Sequence, residues 1–72
     1  MTKTYKIEVD CANCANLCEV AANKVPGVEK AAINFMTQKM TVTYADGAEE
    51  KTVCKAILKA CRKIEPDFTI EL

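Results

Sequence analysis

The 72-residue chain carries ten basic and ten acidic residues, so its formal net charge is zero, and half of its residues are apolar. A chain of this length makes one small domain that buries only about 60% of its unfolded surface, which argues against a large catalytic cleft. Neither sign of charge forms a run, so no basic footprint for nucleic acid or anionic lipid is visible.

Only two prolines and two glycines interrupt the chain, as befits a compact fold rather than a disordered segment. The N-terminus "MTKTYKIEVD" lacks the apolar core of a secretory signal, and nowhere do the roughly 18 apolar residues of a membrane span run together. The expectation is one domain over residues 1–72, cytoplasmic and monomeric, with no direct membrane insertion.

Residues 4 to 9 alternate polar and apolar through Tyr5, Ile7 and Val9, the period-2 pattern of a half-buried strand. From Asn13 or Cys14 to Val25 no glycine or proline intervenes, and Cys18, Ala22 and Val25 mark one face of a helix ended by Pro26 and Gly27. Strands follow at 28–35, through Ala31, Ile33 and Phe35, and at 39–44, through Met40, Val42 and Tyr44. The short link between them predicts an antiparallel hairpin.

After the Asp46–Gly47 turn, residues 48–64 carry an apolar stripe of Val53, Cys54, Ile57, Leu58, Cys61 and Ile64, acidic early and basic late as the helix dipole prefers. Pro66 breaks this helix, and Phe68, Ile70 and Leu72 alternate in a last strand at 68–72. The order β-α-β-β-α-β predicts an α+β ferredoxin-like sandwich, a four-stranded antiparallel sheet with two helices on one face.

Five cysteines are many for this length, but the odd count and the absence of any extracellular signal argue against a disulfide framework. Cys11 and Cys14 stand where the first strand hands over to the first helix, and two thiolates so spaced can close on one ion. The helix N-terminus is expected to lower their pKa values and favour the binding form. A closed structural zinc site would need four protein ligands, whereas this chain has no histidine and no second CxxC pair. An incomplete shell suits uptake and transfer of an ion. A dithiol-disulfide oxidoreductase would use the same pair, but the chain is short for that fold and the motif holds no tryptophan or proline.

Asp10 is either a helix-capping residue or a third, harder ligand. Two thiolates alone suit copper(I), whereas an added carboxylate suits a divalent ion and leaves a net charge of minus one rather than minus two. Cys18 lies one helical turn beyond Cys14 and Cys61 lies near the end of the second helix. Both are read first as small apolar core residues and second as further ligands, and Cys54 as core.

Across nearly the whole chain, "DCANC", "VPGV" at 25–28 and "AINFMTQKMTVTY" resemble the heavy-metal-associated domains of metal-exporting P-type ATPases and copper chaperones. That resemblance implies the same βαββαβ fold and one metal ion held by Cys11 and Cys14. The family commonly has Gly-Met two positions before the first motif cysteine, where this chain has Glu8 and Val9. Asp10 in front of Cys11, and "KIEPDF" where copper members often carry Gly-Tyr, resemble the zinc, cadmium and lead branch, in which the carboxylate completes the site. The resemblance therefore implies a non-catalytic domain that binds zinc, cadmium or lead and works with the membrane and catalytic parts of its own transporter. Copper(I) is the alternative cargo.

Overall fold

The computed structural model describes residues 1–71; Leu72, expected to extend the last strand, lies outside them. The elements run β1 (Thr2–Glu8), α1 (Ala12–Asn23), β2 (Val28–Asn34), β3 (Lys39–Tyr44), α2 (Glu50–Arg62) and β4 (Thr69–Ile70). The strands form one sheet in the order β2-β3-β1-β4, every neighbouring pair antiparallel. This is the ferredoxin-like arrangement expected from the pattern.

Alternation decides which face of each strand is dry. Tyr5 and Ile7 of β1 and Met40, Val42 and Tyr44 of β3 are buried, while Thr2, Thr4, Thr41 and Thr43 lie on the opposite face and pair their hydroxyls across the strands at 3.2 Å. Cys18 and Ala22 of α1 and Ile57 and Cys61 of α2 are fully buried against the inner face, together with Phe68 just before β4. Spacings of three and four residues bring these side chains onto one helix face.

The ends of the elements depart from the expected ones for local reasons. Helix α1 stops at Asn23 rather than Val25 because the chain tightens into a turn, with Lys24 N–H donating to Ala21 O and Val25 N–H to Ala22 O. Gly27 then takes a φ of +94°, and a Cβ there would lie 2.7 Å from Val53 Cγ2, so both conformation and packing call for glycine. Helix α2 closes on a tight last turn in which the N–H groups of Ile64 and Glu65 both reach Cys61 O. Strand β4 is shorter than expected, pairing only with Ile7 and Glu8, with one further bond from Glu71 N–H to Lys6 O.

At the end of the sheet where β1 begins and α2 starts, Tyr5 Oη donates to Glu50 Oε2 at 2.7 Å, which leaves Tyr44 Oη to donate to Tyr5 Oη at 2.7 Å. At the opposite end β1 runs out toward α1. There the β2–β3 turn is built on Asn34, whose side-chain oxygen accepts from the N–H groups of Met36 and Thr37. Gln38 completes that turn in the left-handed region, with φ of 53°.

Candidate metal site

The chain leaving β1 is held from the hairpin. Gln38 accepts from Val9 N–H at 2.9 Å through Oε1 and donates to Phe35 O at 2.8 Å through Nε2, while its backbone carbonyl accepts from Ile7 N–H at 3.0 Å. Two bonds from one residue thus fix the segment that delivers Asp10 and Cys11, and the third anchors Gln38 within its own turn. Val9 itself is buried, so its valine side chain packs into the core beneath the loop.

Cys11 is the N-cap of α1. Its backbone is extended, with φ of −143° and ψ of 154°, and its Sγ accepts from Cys14 N–H at 3.1 Å. A thiol at the N-cap does here what serine or aspartate usually does, satisfying one of the free N–H groups at the helix start. The same geometry brings the two sulfurs together, both half-buried, at the positive end of α1.

The protonation chemistry at Cys14 runs against the expectation of a lowered pKa. Hydrogen bonding to Cys11 is the largest influence, followed by partial burial and the charges of Cys11 and Glu65, and together they push the Cys14 thiol up to about 12. The helix N-terminus favours a thiolate, but a second sulfur and a carboxylate at close range outweigh it. Without a cation Cys14 therefore keeps its proton at neutral pH, and an arriving ion must displace it.

Asp10 is exposed, and its carboxylate comes together with those of Glu65 and Asp67, the three offering ligand atoms within 4.8 Å of one another. Glu65 and Asp67 belong to the connection between α2 and β4. Asp10, Cys11 and Cys14 do not by themselves converge on one point; the thiol pair and the carboxylates stand side by side, with Glu65 facing Cys14.

Glu65 and Gln38 are the residues that the sequence reading missed. The signal for Glu65 was an acidic Glu-Pro-Asp run at a helix C-terminus, where the dipole favours bases. Gln38 left no comparable trace, since a left-handed turn position usually announces itself with glycine or asparagine.

Cys18 and Cys61 lie away from this loop. Both are fully buried at the α1–α2 contact, their sulfurs directed at each other's backbone carbonyls. Cys54 is also buried, beside Tyr5 and Tyr44. Among the described residues no helix is long and apolar enough to cross a membrane.

Two close thiols at a helix N-terminus, rimmed by carboxylates on a βαββαβ frame, define a class of small domains that take up thiophilic metal ions. The chain belongs to the heavy-metal-associated domain family, which matches residues 4–67. It is 36% identical over 62 residues to the cadmium, zinc and cobalt-transporting ATPase of Bacillus subtilis (strain 168), a match covering 86% of this chain and 9% of that protein. It is 34% identical over 70 residues to copper-transporting ATPase 2 of Rhizobium meliloti (strain 1021), covering 90% of this chain and 8% of the relative. Among solved structures, the N-terminal domain of a potential copper-translocating P-type ATPase from Bacillus subtilis in the Cu(I)-loaded state superposes with a TM-score of 0.74 and 30% identity, covering 99% of this chain and 84% of that one. The chain thus spans less than a tenth of the two transporters.

Proposed function

We propose that this domain binds one divalent soft or borderline ion, zinc, cadmium or lead, through Cys11 and Cys14, with carboxylate oxygen from Asp10 and Glu65 completing the shell. It hands that ion to the membrane part of a P-type ATPase of which it is the cytoplasmic metal-binding domain. The observation that carries this reading is the convergence of the Asp10, Glu65 and Asp67 carboxylates, one of which, Glu65, acts on the Cys14 thiol. Soft sulfur alone suits a monovalent ion, whereas sulfur with oxygen suits a borderline divalent one. Charge favours the same choice, because two thiolates and two carboxylates leave a net minus two around a dication and minus three around a monovalent ion. The shell stays open to solvent on the loop side, so a receiving ligand can attack the ion without unfolding the domain.

Copper(I) transfer is the second reading, supported by the copper-named relative and the Cu(I)-loaded neighbour. A thiol-exchange role fits less well, since the motif holds no tryptophan or proline and the βαββαβ order differs from that of a thioredoxin-type fold.

Titration of reduced protein with zinc, cadmium, lead and copper(I) against competing chelators separates the first two readings. Asp10→Ala and Glu65→Ala are expected to lower divalent affinity by about tenfold each and to leave copper(I) affinity in place. Unchanged zinc and cadmium affinity in both variants would remove the carboxylates from the site and favour copper(I).

A further inference from the structure

Behind the loop lies a second pair of thiols. Cys18 on the inward face of α1 and Cys61 in the last turn of α2 are each 0% exposed. Cys18 Sγ donates to Cys61 O at 3.7 Å and Cys61 Sγ donates to Cys18 O at 3.5 Å. This reciprocal pattern sets the two thiols against each other's backbone across the helix contact.

We propose that Cys18 and Cys61 form an inner metal site that takes one soft dication content with two thiolate ligands, mercury(II) being the ion of that chemistry. The donor set selects it. Zinc requires four ligands, and the buried contact offers only two sulfurs and no carboxylate. Copper(I) accepts two thiolates but leaves one negative charge in the dry core, where an uncompensated charge is strongly disfavoured. A dication with two thiolates is neutral, so burial no longer opposes it. Two S–H bonds and the ion's two bonds to its incoming ligands, chloride in the test below, break as two sulfur–metal bonds form; both protons pass to buffer, both chlorides leave to solution, and no electron changes hands.

The approach to this pair is from the N-terminal end of α1, where Cys18 lies one helical turn beyond Cys14, and it does not depend on the loop thiols themselves. Reaching the inner sulfurs requires the α1–α2 contact to open locally. The inner pair then acts as a slow trap for an ion that the outer pair exchanges rapidly.

The test uses mercury(II) chloride with the reduced Cys11→Ser/Cys14→Ser double variant, read by native mass spectrometry, thiolate-to-mercury absorption and helical circular dichroism. The double variant is expected to take one mercury(II) ion with its helices intact and to surrender it to excess small thiol at least about tenfold more slowly than the Cys18→Ala/Cys61→Ala variant releases its ion from the loop. Adding Cys61→Ala to the double variant, or Cys18→Ala if that combination fails to fold, is expected to abolish binding, while Cys54→Ala leaves it unchanged. No mercury on the folded double variant, mercury that survives loss of Cys61 or Cys18, or binding accompanied by loss of helix would each overturn the proposal. Zinc titrated into wild type in parallel keeps the two readings apart, because a domain that takes mercury inside but no zinc at the loop fails the loop assignment alone.

Discussion

The two thiol pairs of this domain use the same side chain in opposite ways. Cys11 and Cys14 sit half-buried at the start of α1, where one sulfur caps the helix and the other waits a turn away. Cys18 and Cys61 face inward at the helix crossing, with no exposed surface and with backbone carbonyls as partners. The difference teaches that access and local backbone decide what a thiol does here. Around the first pair, helix N–H groups favour thiolate and carboxylates gather nearby; around the second, the dry contact makes a hydrogen-bonded seam between helices.

That contrast breaks most visibly at the loop. Cys11→Ser is expected to lower zinc or cadmium affinity by at least about a hundredfold, more than loss of a supporting group would, in a competition titration. Serine can still cap the helix, so the urea midpoint of the metal-free domain is expected to stay close to wild type. Cys18→Ser reverses the pattern. A hydroxyl placed in the dry contact costs about 1–3 kcal/mol, read as a lower urea midpoint, while zinc affinity of the folded variant is retained.

Acidity sharpens the contrast further. Because the Cys14 thiol is held at about 12 rather than 9.0, the metal-free fold favours its protonated form. That contribution to stability is fully present below pH 9.0 and is lost as pH rises through about 12. Metal binding has the opposite slope, since the ion must displace the proton. Apparent affinity is expected to rise about tenfold per pH unit for each proton released, measured by titration in buffers of different ionisation enthalpy. The smallest effect is expected from Gln38→Ala, which removes two hydrogen bonds and costs about 1–2 kcal/mol, with faster amide exchange at Val9 as its signature.

Much of this was legible in the chain. Alternation through Tyr5, Ile7 and Val9 and through Met40, Val42 and Tyr44 marked strands whose dry faces carry those residues, and the helix stripes are buried at Cys18, Ala22, Val25, Val53, Cys54, Ile57 and Cys61, whereas Leu58 is only half-buried and Ile64, past the end of α2, is exposed. Element ends were less legible, because the turn after Asn23 and the tight close of α2 depend on which carbonyl an N–H finds. At the site, the CxxC pair is local and stood out. Its surroundings are tertiary: Glu65 reaches Cys14 only because α2 ends beside α1, and Asp10, adjacent to Cys11 in sequence, turns toward Glu65 and Asp67. Gln38 acts on Val9 across the sheet, a relation that no spacing encodes.

The Tyr44–Tyr5–Glu50 chain bears on how the domain is held. Each hydroxyl donates in one direction toward the Glu50 carboxylate, joining β3, β1 and the first turn of α2 in a bond series whose two tyrosines are buried. Gln38 does the corresponding work at the opposite end, tying the exit of β1 to the β2–β3 turn. The thiol loop therefore leaves a sheet fastened by side chains at both of its ends.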